Sequence, residues 1–482
     1  MFITEELANR FGAVPVNGEK HGSNTLWAKN PLSEQEKEEL AFLVGEEFEL
    51  IIVGDDQFNE AFINAYQKGP DAKRNVPEKS RIKPHSGFSE SETRKFSHSG
   101  SVVQQINDIV ETAIQKKASD IHLEPYENDF RVRYRIDGTL ILFGHLESRN
   151  KEAFISRLKI LSELDIAEKR RPQDGKIIFK TGEKAYDLRL SILPTVYGEK
   201  AVLRILDKQD VQLELDKLGF NAEAEVHFRK AIQNPFGMIL VTGPTGSGKT
   251  TTLYAALQQL NREGVNITTI EDPVEYNIPG INQTQVRSDI GLTFSKALRS
   301  FLRQDPDIIM VGEIRDTETA QIATRAALTG HLVLSTIHTN DAPSTVSRLL
   351  DMGVEPYLIA SSLRMVLAQR LVRKICKNCK QPADYDTSVM NGLGVADWDY
   401  PIYEGKGCTH CNFTGYSGRV ALFETLPVEN NLADQIARGT TTMEIKKGMK
   451  VLGIKDLREA GLIKIKEGIT TPEEVLKQAI FQ

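Results

Sequence analysis

Cysteine and tryptophan are scarce here: 482 residues hold four of the first and two of the second. Four cysteines in a chain this long cannot make the dense disulfide framework of a small secreted scaffold. No apolar run approaches the roughly eighteen residues that a membrane-spanning helix requires. The opening stretch, MFITEELANR, has neither a basic n-region nor an apolar h-region. A cytoplasmic protein is therefore expected, with any contact to a membrane made through partners. An excess of positive charge is missing as well, since 60 Lys and Arg face 66 Asp and Glu for a formal net charge of -6. Such a balance does not describe a chain built around a polyanion, and no nucleic acid is expected as a partner.

The length exceeds what one hydrophobic core organises, so several domains are expected. Residues 1–67 alternate helix-like and strand-like segments, LSEQEKEELAFLVG and FELIIVG among them, and read as a small separate domain. Residues 68–100 are rich in Ser, Pro, Lys and Arg with few aliphatics, too few to bury a core, and read as a flexible linker. In residues 101–215, VVQQINDIVETAIQKKA has helical spacing, and FRVRYRIDGTLILFG reads as a hairpin turning at Asp137-Gly138. The strand-like KIIFK, AYDLRLSIL and KAVLRIL follow, giving an α+β domain with an antiparallel sheet. Within residues 216–482, the short apolar strands GMILVTG, VNITTIE, DIIMVGE and HLVLSTI alternate with helical segments. That is the pattern of a mostly parallel, doubly wound α/β sheet.

Gly243, Pro244, Thr245, Gly246, Ser247, Gly248, Lys249 and Thr250 fit G-x-x-x-x-G-K-[ST], with Thr251 beginning the helical TTLYAALQQL. The strand GMILV leads in. Glycines at this spacing let successive backbone N–H groups face phosphate at a helix N-terminus. Lys249 would then reach the β- and γ-phosphates, and the Thr250 hydroxyl would bind Mg²⁺, so ATP and Mg²⁺ are the expected ligands. Acidic residues stand at the ends of the other strands: Glu271, Asp272 and Glu275 in ITTIEDPVEY, and Glu313 in DPDIIMVGEIRD. Glu313 is placed to orient the attacking water or to hold Mg²⁺ through water. Asp316 is a candidate N-cap for TETAQIATRAAL as much as a functional acid. His331 and His338 bracket LVLSTI, and His338 is a candidate γ-phosphate sensor.

The four cysteines form two pairs, Cys376-x-x-Cys379 and Cys408-x-x-Cys411. Four thiolates so arranged suit a tetrahedral structural Zn²⁺, and a metal-binding subdomain over residues 373–418 is expected. No histidine, water-activating carboxylate or open ligand position is suggested, so a structural rather than a catalytic metal is expected.

Taken together, SDIHLEP, RVRYRIDG, RRPQDGKI, GPTGSGKTTTLY, IEDPVEY, LRQDPDIIMVGEIRD, LTGHLVLSTIHTNDA and the paired cysteines resemble the GspE/PilB-type secretion ATPases. These are the motors of type II secretion and type IV pilus assembly. The resemblance runs from about Ser119 to Gly418. It implies a homohexamer of RecA-like P-loop ATPase domains, each preceded by a PAS-like α+β domain and a small N-terminal docking domain. It further implies that Arg189 and Arg204 reach bound nucleotide, with Glu275, Glu313, Lys249 and His338 in the catalytic set. A solvent-facing placement of both arginines stays open. Of Arg131, Arg133 and Arg135, which alternate with apolar residues, a solvated basic face is the expectation for at least some. The implied partners are an inner-membrane platform protein and a cytoplasmic domain of an inner-membrane assembly component. The tetracysteine insertion favours assembly over retraction. Two other functions compete, a RecA-like nucleic-acid translocase or DNA-uptake/conjugation-type secretion ATPase, and a non-hydrolysing scaffold; the acidic balance counts against a translocase, intact Lys249, Thr250 and Glu313 against a scaffold.

Overall fold

The computed structural model describes residues 8, 11, 13–15, 25–29, 31–33, 37, 40, 49–62, 94–95, 101–182, 184–206, 214–385, 387–395 and 398–479. They fall into two compact units, divided between Ile82 and Lys83. In the first, β1 (Ala13–Pro15) runs antiparallel to β2 (Thr25–Ala28), and β2 runs parallel to β3 (Glu49–Ile52). Ala8, Phe11, Ala13, Leu26, Ala28 and Leu40 form its core. Most of the stretch read as a linker, residues 68–93 and 96–100, lies outside the described residues.

The second unit holds two seven-stranded sheets. The first begins with β4 (Arg94–Lys95), which lies inside the stretch read as a linker and pairs with β7. It continues with β5 (Asp120–Pro125), β6 (Phe130–Ile136), β7 (Thr139–Leu146), β8 (Gln173–Thr181), β9 (Lys184–Thr195) and β10 (Gly198–Leu206), in the order β4-β7-β6-β5-β10-β9-β8. Asp137 (φ 48°) and Gly138 (φ 83°) make the two-residue turn from β6 to β7. Alternation decides the two faces of this sheet. Along β9, Tyr186, Leu188, Leu190 and Ile192 are buried in the core with the helices Val102–Gln115 and Lys151–Leu161. Asp187, Arg189 and Ser191 therefore point to the opposite face. Arg204 of β10 pairs directly across from Arg189, so both arginines stand on that polar face.

The second large sheet contains β11 (Gly237–Thr242), β12 (Ile267–Glu271), β13 (Asn282–Gln285), β14 (Ile308–Val311), β15 (Leu332–Ile337) and β16 (Leu363–Ile375), all parallel. The small antiparallel pair β17 (Lys380–Pro382) and β18 (Tyr403–Gly405) precedes β19 (Tyr416–Pro427), which closes the order β13-β12-β14-β15-β11-β16-β19. Every residue of β11 is buried. Met238 and Leu240 enter one core while Ile239 and Val241 enter another, as a sheet covered on both sides requires. Caps set the flanking helices: Asp316 accepts the N–H of Thr319 at 2.8 Å, and Asp341 that of Ser344 at 2.8 Å. Such caps each contribute about 1 kcal/mol. The β6–β7 turn docks on the second sheet, Asp137 accepting the N–H of Gly418 at 2.7 Å and Thr139 bonding Arg373 at 3.4 Å.

Candidate functional site

Beyond Thr242 the chain turns through the glycine-rich loop into the helix Lys249–Leu260. Gly243 (φ 146°) and Gly248 (φ 86°) hold backbone conformations that favour glycine. A Cβ on Gly243 would stand 2.4 Å from the Gln369 carbonyl oxygen, and one on Gly248 would stand 2.8 Å from Gln369 Nε2. Lys249 is buried and donates to the carbonyls of Gly243 at 2.7 Å and Pro244 at 3.1 Å. Burial pulls its ammonium down to about 8, helped by Arg370 and opposed by Glu313.

Glu313 follows the end of β14, at the carboxyl ends of the parallel strands, where such sheets collect ligand-binding groups. Its carboxylate pairs with Arg315 at 2.6 Å and lies 3.5 Å from His338 Nε2. Burial, then the nearby Lys249 charge, lowers the pKa of His338 and favours a neutral ring. Thr339, next in the chain, donates its N–H to Thr242 Oγ1 at 2.9 Å, which fixes the His338 loop to the end of β11. A cavity of about 1060 Å³ takes in residues 244–251, Glu313, Arg315 and His338. Asp120, Arg135 and Arg204 reach the same cavity from the first sheet.

The two arginines singled out by sequence differ in their partners. Arg189 meets Glu275 at 3.3 Å and the Val274 carbonyl at 3.1 Å, linking the two sheets. Arg204 lies against Asp120 at 3.2 Å and is the more exposed of the two. Glu271 is buried and accepts from Tyr254, from Thr269 Oγ1 at 2.6 Å and from Gln283 Nε2 at 3.1 Å. Those bonds occupy it structurally; burial, then the bond to Glu271 and its charge, pushes the Tyr254 phenol upward.

At a second place in this unit, between β16 and β19, the four cysteine sulfurs all lie within 4.8 Å of one another. Cys376 and Cys408 are 3.9 Å apart, Cys379 and Cys411 3.8 Å, and Cys408 and Cys411 3.8 Å. Four thiolates around zinc at about 2.3 Å require sulfur separations of about 3.8 Å. The N–H groups of Gly407 and Cys408 donate to the sulfurs of Cys379 and Cys411, at 3.3 Å and 3.2 Å, contacts that stabilise thiolate charge beside a metal. The cluster is compatible with zinc.

The family model for "Type II/IV secretion system protein" matches residues 95–477. The chain belongs to this family. It is 48% identical over 484 residues to the type IV pilus assembly ATPase PilB of Myxococcus xanthus, covering 98% of this chain and 85% of that one. It is 42% identical over 480 residues to the type II secretion system ATPase E of Vibrio cholerae, covering 98% and 95%. The crystal structure of the pilus retraction motor PilT with bound ADP superposes with a TM-score of 0.54 at 27% identity, over 77% of this chain and 96% of that one.

In this secretion-family chain, the structure brings Lys249, Thr250, Glu313, His338 and Arg204 to one cavity, with Glu275 on its wall. Arg189 acts on that wall through Glu275 rather than lining it. Asp316 is a helix cap, and His331 bonds the Ala326 carbonyl at 2.9 Å. Arg133 forks onto Glu124 at 2.7 and 2.8 Å, and Arg135 approaches Asp120 at 3.6 Å. These two positions of the basic face are thus ion-paired as well as partly solvated, because β5 places Asp120 across from Arg135 and Glu124 diagonally from Arg133. Sequence reasoning missed Gln369 and Arg370, which lie against the phosphate loop. Nothing local marks them, since their placement depends on β16 pairing with β11.

Proposed function

We propose that this chain is an ATP-hydrolysing motor that powers assembly of a type II secretion pseudopilus or a type IV pilus. The convergence of Lys249, Glu313, His338 and Arg204 on one cavity carries this reading, and the membership of the family supports it. The loop N–H groups and Lys249 would bind the phosphates of ATP, and Thr250 with Glu313 would hold Mg²⁺, whose charge neutralises that developing on the transferring phosphoryl group. Glu313, turning from Arg315, would orient the attacking water. Arg204, and Arg189 on release from Glu275, would bring charge from the first sheet to the phosphates, which couples movement of that sheet to hydrolysis.

Under this reading the second unit comprises a PAS-like layer and a RecA-like layer in each subunit of a homohexamer. Zn²⁺ sits between the two cysteine pairs and is structural. The N-terminal unit docks on a cytoplasmic domain of an inner-membrane component, and the motor turns a platform protein from the cytoplasmic face. The tetracysteine cluster favours assembly rather than retraction.

ATP turnover of the purified chain, with and without the cytoplasmic fragment of the platform protein, tests this. Turnover that rises with the fragment and falls by at least about 100-fold in Glu313→Gln fits an assembly motor. Turnover indifferent to the fragment and raised by DNA would point to a translocase instead.

A further inference from the structure

Arg370 is 2% exposed and lies on the wall of the cavity described above. Its place follows from strand pairing. Thr242, the last residue of β11, stands opposite Ala368 of β16, so Gln369 and Arg370 fall level with the first residues of the phosphate loop. Arg370 Nη1 stands 3.1 Å from where a Cβ of Gly243 would be. Its donors are only partly used: Nη2 bonds the Asn340 carbonyl at 2.6 Å, Nη1 the Gln369 carbonyl at 3.2 Å, and buried Nε has no partner.

Its charge also lacks a directly paired carboxylate. Glu424 and Asp341, the carboxylates that act on it, are committed to other groups. Glu424 accepts the N–H groups of Ala342 and Leu457, and Asp341 accepts from Ser344 and Lys446. Among the described residues no carboxylate oxygen comes within ion-pair distance of the guanidinium. A buried cation of this kind is costly unless an anion meets it. The same pocket holds a second buried cation, Lys249, which Glu313 attracts and Arg370 repels. Two like charges walled into one pocket suit a polyanion.

We propose that Arg370 is a positioning residue of the phosphate site, a buried positive charge that holds the phosphate loop and the His338 loop around nucleotide phosphates. The inference rests on the reading of that loop as a nucleotide site. Through Asn340 the guanidinium grips the loop that carries His338, and through its place behind Gly243 it faces the phosphate loop. The phosphate charge offsets its own when nucleotide arrives.

The test separates charge from hydrogen bonding, using the full chain and ADP as the probe. Arg370→Lys keeps the charge, Arg370→Gln keeps donors without it, and Arg370→Met keeps neither. The charge role predicts ADP dissociation constants near wild type for the Lys variant and weaker by about tenfold for the Gln and Met variants. Binding by the Gln variant as tight as by the Lys variant overturns it, as does wild-type binding by all three. Failure of all three to fold, read by circular dichroism, also sinks the idea, because Arg370 would then be structural. Lys249→Ala serves as the control. If that variant binds ADP normally, the nucleotide reading itself fails; if it loses ADP while Arg370→Gln does not, only the present inference falls.

Discussion

Glu424 sits on β19 with 4% of its surface exposed, and its two oxygens accept the first N–H groups of two helices, Ala342 at 2.7 Å and Leu457 at 3.3 Å. Burial, joined by the charges of Asp341 and Asp456, pushes the carboxyl up to about 7 despite those two bonds. A folded pKa above the unfolded value of 4.5 means that the native state binds this proton more tightly. The contribution to stability is thus complete below 4.5 and is lost as pH rises towards 7. Glu424→Gln should remove that dependence. Urea unfolding compared across this range should find the variant gaining about 3 kcal/mol on the wild type as pH rises. Parallel stability curves would show instead that Glu424 keeps its charge throughout.

Among the elements, the segment between β16 and β19 is held in two ways. Its tip depends on the four sulfurs, where Gly405 and Gly415 approach so closely that a Cβ on Gly405 would lie 2.0 Å from the Gly415 carbonyl oxygen. Its middle depends on apolar packing, with Met390 and Leu393 buried against Ile465 and Val475 of the C-terminal helices. Metal loss should therefore loosen only the tip. Cys408→Ser should abolish bound zinc in elemental analysis and open Lys377, Lys380 and Lys406 to trypsin. Hydrogen exchange around Met390 and Leu393 should stay slow. Equal loss of protection at both places would mean that the metal organises the whole segment.

At the scale of the whole second unit, the polar face of the first sheet meets the edge of the second where its parallel strands end. Arg189 crosses that boundary to Glu275, and Arg204 enters the cavity beside Asp120. If both arginines stabilise charge in the transition state rather than hold the ground-state nucleotide, alanine at either position should lower kcat by about 10³-fold with little change in KM. Steady-state kinetics decide the matter, since a rise in KM alone would make them binding contacts.

What the sequence determined by itself is local in origin. Gly243 and Gly248 are required where the chain turns tightly, Lys249 opens the following helix, Asp137-Gly138 closes a hairpin, and the cysteines come in pairs of fixed spacing. Each needs only its near neighbours, so each is legible from a short string. The roles of Arg370, Glu424 and Arg189 belong to tertiary structure. Arg370 faces the phosphate loop because strands more than a hundred residues apart pair in parallel, with Thr242 opposite Ala368. Glu424 caps two helices that arrive from different directions. A buried charge reads in sequence like any surface charge, and only packing decides which charges lose their water and which groups replace it.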